Sequence, residues 1–73
     1  MVATPQVTLK AARVNKGLSQ KKAATLLGVN PVTLSKWERG ISMPKANQID
    51  AICNLYGKTY DMLIFLPSEL ALG

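Results

Sequence analysis

Apolar residues recur about every three to four positions along most of this chain, which is the spacing of one face of an α-helix. Glycine or proline stands at most of the boundaries between these periodic segments, where helices are expected to end or begin. The pattern predicts an all-α fold of five short helices, at residues 9–16, 20–27, 31–39, 46–56 and 60–65.

The second and third predicted helices are joined by a short turn. Ser19 can cap the second helix, because its hydroxyl accepts hydrogen bonds from the free amides of a first turn. Gly28 supplies the left-handed conformation that ends this helix. Asn30 then caps the third helix, and Pro31 takes its first position, where no amide donor is lost. Two short helices joined by a glycine-containing turn predict a helix-turn-helix.

The same periodicity gives each helix an inward face. Leu9 and Arg13 are four residues apart, which places the arginine on the core side of the first helix. Leu34 and Trp37 form the inward stripe of the third helix, so we expect the tryptophan in the core rather than stacked on a base. The rest of the predicted core consists of Ala12, Leu18, Ala23, Ala24, Leu27, Ala46, Ile49, Ile52, Cys53 and Tyr56.

One domain with two flanking segments is expected. Residues 1–7 lack periodicity and predict a flexible N-terminal arm, residues 8–66 form the helix-turn-helix domain, and residues 67–73 form an apolar C-terminal tail. The apolar cluster near this terminus either folds back over the domain or marks a protein interface. The candidate interface residues are Phe65, Leu66, Leu70 and Leu72.

Composition argues against several classes of function. The chain has one cysteine and no histidine, which leaves neither an internal disulfide nor a usual zinc site. The acidic residues are scattered and no phosphate-binding glycine loop is present, so we expect no enzyme activity. No apolar run approaches the ~20 residues of a membrane span. We therefore expect a cytoplasmic protein with no metal, no cofactor and no small-molecule ligand.

Charge is distributed unevenly along the chain. Residues 1–45 contain eight Lys and Arg against the single acid Glu38, a net charge of +7. Residues 46–73 contain Lys58 against three acids, a net charge of −2. Because the basic half carries the helix-turn-helix, this distribution favours binding to nucleic-acid phosphates through that half.

An ordered set of residues resembles the Xre/Cro-repressor family of helix-turn-helix proteins. The resemblance covers residues 9–66 and implies a compact, λ-repressor-like DNA-binding domain of five helices, with the motif at helices two and three. It also implies a structural ion pair between Arg13 and Glu38. Two positions depart from the family pattern: Ala23 replaces a leucine, and Lys22 replaces an acidic residue. The residues that carry the resemblance are Arg13, Gly17, Leu18, Ser19, Gln20, Ala24, Gly28, Val29, Trp37, Glu38, Arg39, Gly40 and Pro44.

Two sets of residues are candidates for DNA contacts. Base reading is expected from the start and outward face of the third helix, and phosphate binding from the residues around it. The resemblance implies that Gln20 bonds a backbone phosphate. The base-reading candidates are Asn30, Pro31, Val32, Thr33, Ser35 and Lys36. The phosphate candidates are Gln20, Lys21, Arg39, Ser42, Lys45 and Asn47.

Two functions from different classes are compatible with the sequence. The first is a Cro-like transcriptional repressor of a phage or mobile-element genetic switch, which binds a double-stranded operator as a homodimer. The second is an antirepressor that uses the same fold to bind a partner repressor and mask its DNA-binding face. The basic half favours the first, whereas the third helix, poor in hydrogen-bonding groups, and the apolar tail favour the second.

Overall fold

Four α-helices occupy most of residues 6–65, the part of the chain that the computed structural model describes. Three of them begin at a side chain that caps the first turn, and two of these caps, Ser19 and Asn30, are the predicted ones. Thr8 Oγ1 accepts a hydrogen bond from the amide of Ala11 at 3.1 Å, and Ser19 Oγ accepts one from Lys22 at 3.0 Å. The four helices are α1 (Leu9–Asn15), α2 (Gln20–Leu27), α3 (Pro31–Glu38) and α4 (Ala46–Tyr56).

The start of α4 is capped in a different way. Lys45 is its N-cap residue, and the Gln48 side chain reaches back to accept a hydrogen bond from the Lys45 amide at 2.7 Å. Gly57 ends the helix at φ 66°. The four predicted helices therefore lie at their predicted places, with boundaries that differ by at most one residue at the ends of α1 and α3.

The predicted fifth helix at 60–65 is wrong. Residues Tyr60–Met62 form a single 3₁₀ turn, and the chain then enters a two-residue strand, Leu63–Ile64. This strand (β2) pairs in parallel with an N-terminal strand, β1 (Val7–Thr8), so that Val7 lies opposite Leu63 and Thr8 opposite Ile64. An isolated helix of six residues repays little of its nucleation cost, whereas pairing with β1 gives the backbone partners and buries Leu63.

The predicted flexible N-terminal arm over residues 1–7 extends too far, because its last residue is part of a strand. Val7 belongs to β1, and the Gln6 side-chain amide donates a hydrogen bond to the backbone oxygen of Asp61 at 2.9 Å. Residues 1–5 lie outside the described residues. Residues 6–8 are thus held against the segment that follows α4, beside α1.

The core is built where the helices meet. Trp37 and Leu34 of α3 are buried against α2, and Ala23 and Ala24 of α2 have no exposed surface, so the two motif helices pack closely. Five predicted core residues lie further out: Leu18, Leu27, Ile49 and Cys53 are half-buried, and Ala46 is exposed. The buried hydrophobic residues that form the core are Leu9, Ala12, Ala23, Ala24, Leu34, Trp37, Ile52, Tyr56 and Leu63.

Candidate nucleic-acid interface

The turn between α2 and α3 fixes how the two motif helices are arranged. Gly28 ends α2 at φ 74°, a left-handed conformation that most side chains disfavour. The amide of Val29 donates back to the carbonyl of Ala24 at 3.0 Å. Asn30 then caps α3 through its Oδ1, which accepts from the Val32 amide at 2.8 Å. The helix-turn-helix predicted for the second and third helices is confirmed.

A polar network joins the first three helices beneath this motif. Arg13 Nε of α1 donates to Glu38 Oε2 of α3 at 2.7 Å, with side chains 11% and 4% exposed. Arg13 Nη1 also donates to the carbonyl of Leu18 at 2.9 Å. Gln20 Nε2, at the start of α2, donates to the second oxygen of Glu38 at 3.1 Å. The network therefore links α1, α2 and α3, and loss of Arg13 would leave the Glu38 carboxylate buried without its cation.

The hydroxyl of Tyr56, on α4, interacts electrostatically with Glu38 and Arg13 of this network. Burial and, to a smaller extent, the negative charge of Glu38 raise the pKa of its hydroxyl to about 12, although the positive charge of Arg13 opposes them. The ring is 2% exposed, and its hydroxyl has no hydrogen-bond partner among the described residues. The polar network therefore borders the core at Tyr56.

The predicted base-reading residues share the outward side of α3 and its cap. Pro31, Lys36 and Asn30 are exposed, Val32 is 60% exposed, and Thr33 and Ser35 are half-buried. The opposite side of the same helix carries Leu34 and Trp37 into the core. We call the outward set, residues 30–33 with 35 and 36, the α3 outer face.

A cleft of about 320 Å³ lies between the starts of α1 and α2 and the end of α3. Arg39 donates from Nε to Ser35 Oγ at 3.1 Å across one turn of helix. Lys10, which the sequence interpretation missed, lies on the same side of α1 as Arg13, three residues earlier. The three-residue spacing between Lys10 and Arg13 was the sequence signal that could have placed Lys10 at this cleft. The cleft is lined by Lys10, Arg13, Gln20, Ser35, Glu38 and Arg39.

Comparison with known protein families agrees with this geometry. A helix-turn-helix family model matches residues 9–63, which is most of the chain and runs from the first residue of α1 to the first residue of β2. The chain belongs to the Xre/Cro-like helix-turn-helix family. Members of this family are DNA-binding transcription regulators. No curated protein and no solved structure matches the chain.

The structure brings together only part of the phosphate set predicted from the sequence. Gln20 and Arg39 meet at the cleft, whereas Lys21 is exposed elsewhere on the first turn of α2. Ser42 is half-buried in the loop after α3, where its amide donates to the carbonyl of Lys36 at 3.4 Å. Lys45 and Asn47 are exposed at the start of α4. Gln20 lines the open cleft and also donates a hydrogen bond to Glu38. The sequence did not suggest this contact with Glu38.

The candidate protein interface is described at one residue. Phe65 is half-buried, and its ring stacks on that of Tyr60 with centroids 5.4 Å apart. Tyr60 itself is 59% exposed. Leu66, Leu70 and Leu72 lie outside the described residues. The described part of this candidate interface is therefore the half-buried ring of Phe65 beside the exposed ring of Tyr60.

Two further observations concern residues 6–65 as a whole. This part of the chain holds no group of three or more potential metal-ligating side chains. Its longest helix, α4, is too short to cross a bilayer, and the other helices are shorter still.

Cys53, the single cysteine, is half-buried on α4, where burial and the neighbouring charge of Asp50 raise the pKa of its thiol.

Proposed function

We propose that this chain is a Cro-like repressor that binds an operator through the α3 outer face. The supporting observation is the two-sided character of α3: Leu34 and Trp37 fix it in the core, while Val32 and Lys36 on the other side are exposed. A single helix presented in this way fits the major groove of B-DNA.

Contacts divide into two kinds in this proposal. The α3 outer face reads base edges, which gives sequence preference. Gln20, Lys21, Arg39, Ser42, Lys45 and Asn47 bind phosphates, which gives affinity and register but little preference. The net charge of +7 over residues 1–45 supports this assignment, because backbone phosphates are the ligands that such a surface attracts.

We propose that two copies bind together. One α3 helix offers few base contacts, and a dimer doubles them at half-sites ~34 Å apart, one turn of DNA. Phe65 and the apolar residues Leu66, Leu70 and Leu72 supply the interface. Its support is the stacked and partly exposed pair of rings at Tyr60 and Phe65. A role in a phage or mobile-element switch is proposed from the resemblance to small repressors of that kind.

A second candidate function is favoured by one specific observation. The start of the α3 outer face is apolar, with Pro31 exposed and Val32 60% exposed, where hydrogen-bonding side chains would read bases best. An exposed apolar helix end also suits a protein groove. In this alternative the chain is an antirepressor that binds a partner repressor and covers its DNA-binding face.

Selection from a randomised pool of DNA duplexes with the full chain tests the proposal. A repressor enriches one sequence, and the chain alone then shifts that duplex in a gel. An antirepressor enriches none, yet releases a partner repressor from the partner's own operator. Sedimentation of the intact chain and of a chain truncated after Ser68 tests the dimer: loss of the dimer with retention of the fold supports the interface, and an intact monomer on operator DNA contradicts it.

A further inference from the structure

The α3 outer face has an unusual inventory of chemical groups. Pro31 has no amide hydrogen, and the Asn30 carbonyl oxygen is already used to cap the helix, where it accepts from the Val32 amide at 2.8 Å. Ser35 Oγ accepts from Arg39 Nε at 3.1 Å. Residues 30–36 contain no carboxylate. The hydroxyl of Thr33, half-buried, is the side-chain acceptor of this face that has no hydrogen bond within residues 6–65, so acceptors for base edges are scarce here.

Donors and apolar surface remain available. Lys36 is exposed and forms no ion pair within residues 6–65, so its ammonium is free to donate. The isopropyl group of Val32, 60% exposed, lies one turn earlier on the same helix. Residues four apart are neighbours on a helix surface, so the two side chains can address nearby base pairs.

These groups select among base edges by elimination. Cytosine offers a donor in the major groove and is read best by a carboxylate, which this face lacks. Adenine is read best by a side-chain amide that donates and accepts together, and capping removes that option from Asn30. Guanine offers two acceptors, which suit a lysine. Thymine offers the C5-methyl group, the apolar feature of the unmodified major groove, which suits a valine.

We propose that Val32 reads the C5-methyl group of a thymine and that Lys36 reads the O6 and N7 atoms of a guanine in each half-site. This inference rests on the proposed function and names the DNA chemistry that the same face recognises. The methyl contact is the more specific part of the proposal. Uracil has the same hydrogen-bonding groups as thymine, so only a contact with the methyl group distinguishes the two bases.

Replacement of single thymines by uracil in the selected duplex tests the methyl contact. Uracil keeps every hydrogen-bonding group of thymine and removes only the methyl. At one thymine per half-site we expect the dissociation constant to rise about three- to fivefold, the cost of leaving one methyl group uncovered. In the Val32→Ala variant the same replacement should change the dissociation constant by less than about twofold.

A matched control uses the same substitution at another exposed valine. Val14 on α1 is 56% exposed, and Val14→Ala should preserve the full preference for thymine over uracil. Substitution of 7-deazaguanine, which lacks N7, tests the second contact: it should weaken binding by the parent and leave the Lys36→Ala variant unaffected.

Three results would overturn the inference. Specific binding with no sensitivity to uracil at any thymine would exclude the methyl contact while leaving the proposed function intact. Undiminished sensitivity in the Val32→Ala variant would place the contact on another residue. Failure to bind any duplex specifically would contradict the proposed function itself, and the inference would fall with it.

Discussion

Gln20 Nε2 donates a hydrogen bond to Glu38 Oε1 at 3.1 Å, and this bond joins the first residue of α2 to the last residue of α3. The same carboxylate is held by Arg13 from the other side at 2.7 Å. A candidate phosphate ligand is therefore positioned by the ion pair that fixes the α3 helix. We therefore expect the stability of the fold and the orientation of Gln20, a proposed phosphate ligand, to depend on the same network.

Arg13→Ala should destabilise the domain by about 3 kcal/mol or more, because it leaves the Glu38 carboxylate buried without its cation. The double variant Arg13→Ala with Glu38→Ala should cost less than the sum of the two single changes. Urea unfolding at pH 7 measures both. Lys10→Ala, at an exposed position on the same side of α1, is the control and should change stability by less than about 0.5 kcal/mol. A parent-like stability of Arg13→Ala would show that the pair has no structural role.

Tyr56 should make the protein less stable in alkali. Its hydroxyl ionises near the ordinary pKa of 10.0 in the unfolded chain but at about 12 in the folded one. The free energy of unfolding should be unaffected by this group below pH 10, and should fall by up to about 1.4 kcal/mol per pH unit between these values.

Tyr56→Phe should remove this part of the pH dependence. At pH 7 it should cost little stability, because the buried hydroxyl has no partner among residues 6–65 and its removal leaves no polar group unpaired. Chemical unfolding from pH 7 to 11.5 measures both effects, with Tyr60→Phe at an exposed ring as the control. An alkaline loss of stability as steep in Tyr56→Phe as in the parent would assign that loss to other groups.

Leu63→Ala should destabilise the domain by about 2–5 kcal/mol, because this strand residue is buried in the core. Met62→Ala, one residue earlier in the 3₁₀ turn and half-buried, should cost less. Thermal unfolding at matched concentration compares the two. Equal losses would contradict the strand register, in which residue 63 rather than 62 faces inward.

Lys36→Ala and Lys45→Ala should weaken DNA binding in different ways. Loss of Lys36 should cost roughly 1–3 kcal/mol on the selected duplex and relax the preference at one base pair. Loss of Lys45, at the start of α4, should weaken binding to all sequences alike and lower the dependence on salt. Fluorescence anisotropy with selected and scrambled duplexes at several salt concentrations separates the two patterns. Equal losses on both duplexes for Lys36→Ala would make it a phosphate contact.

Local signals in the sequence were sufficient for the four helices and for the motif. Thr8, Ser19 and Asn30 each cap a helix with a side-chain oxygen, and this chemistry is readable from residue types alone. The predicted fifth helix failed for the opposite reason. Residues 63–64 adopt a strand because Val7 and Thr8, from the other end of the chain, pair with them, and periodicity contains no information on such a partner.

The candidate site was predictable in its positions but not in its contacts. The spacing of Leu34 and Trp37 determines which side of α3 remains outward, so the base-reading set followed from the pattern. The partner of Arg13 came from the family resemblance. The bond between Gln20 and Glu38 depends on the packing angle of α2 against α3, which no spacing rule specifies.

The central claim is that the chain binds DNA in a sequence-specific way through the α3 outer face. The most direct test compares two dissociation constants, one for the selected duplex and one for a scrambled duplex, measured with the intact chain at one physiological salt concentration. A repressor that reads bases through the α3 outer face should bind the selected duplex at least about 10³-fold more tightly. The Val32→Ala and Lys36→Ala variants should each lower that ratio while they remain folded. A ratio near one for the parent chain would contradict the account.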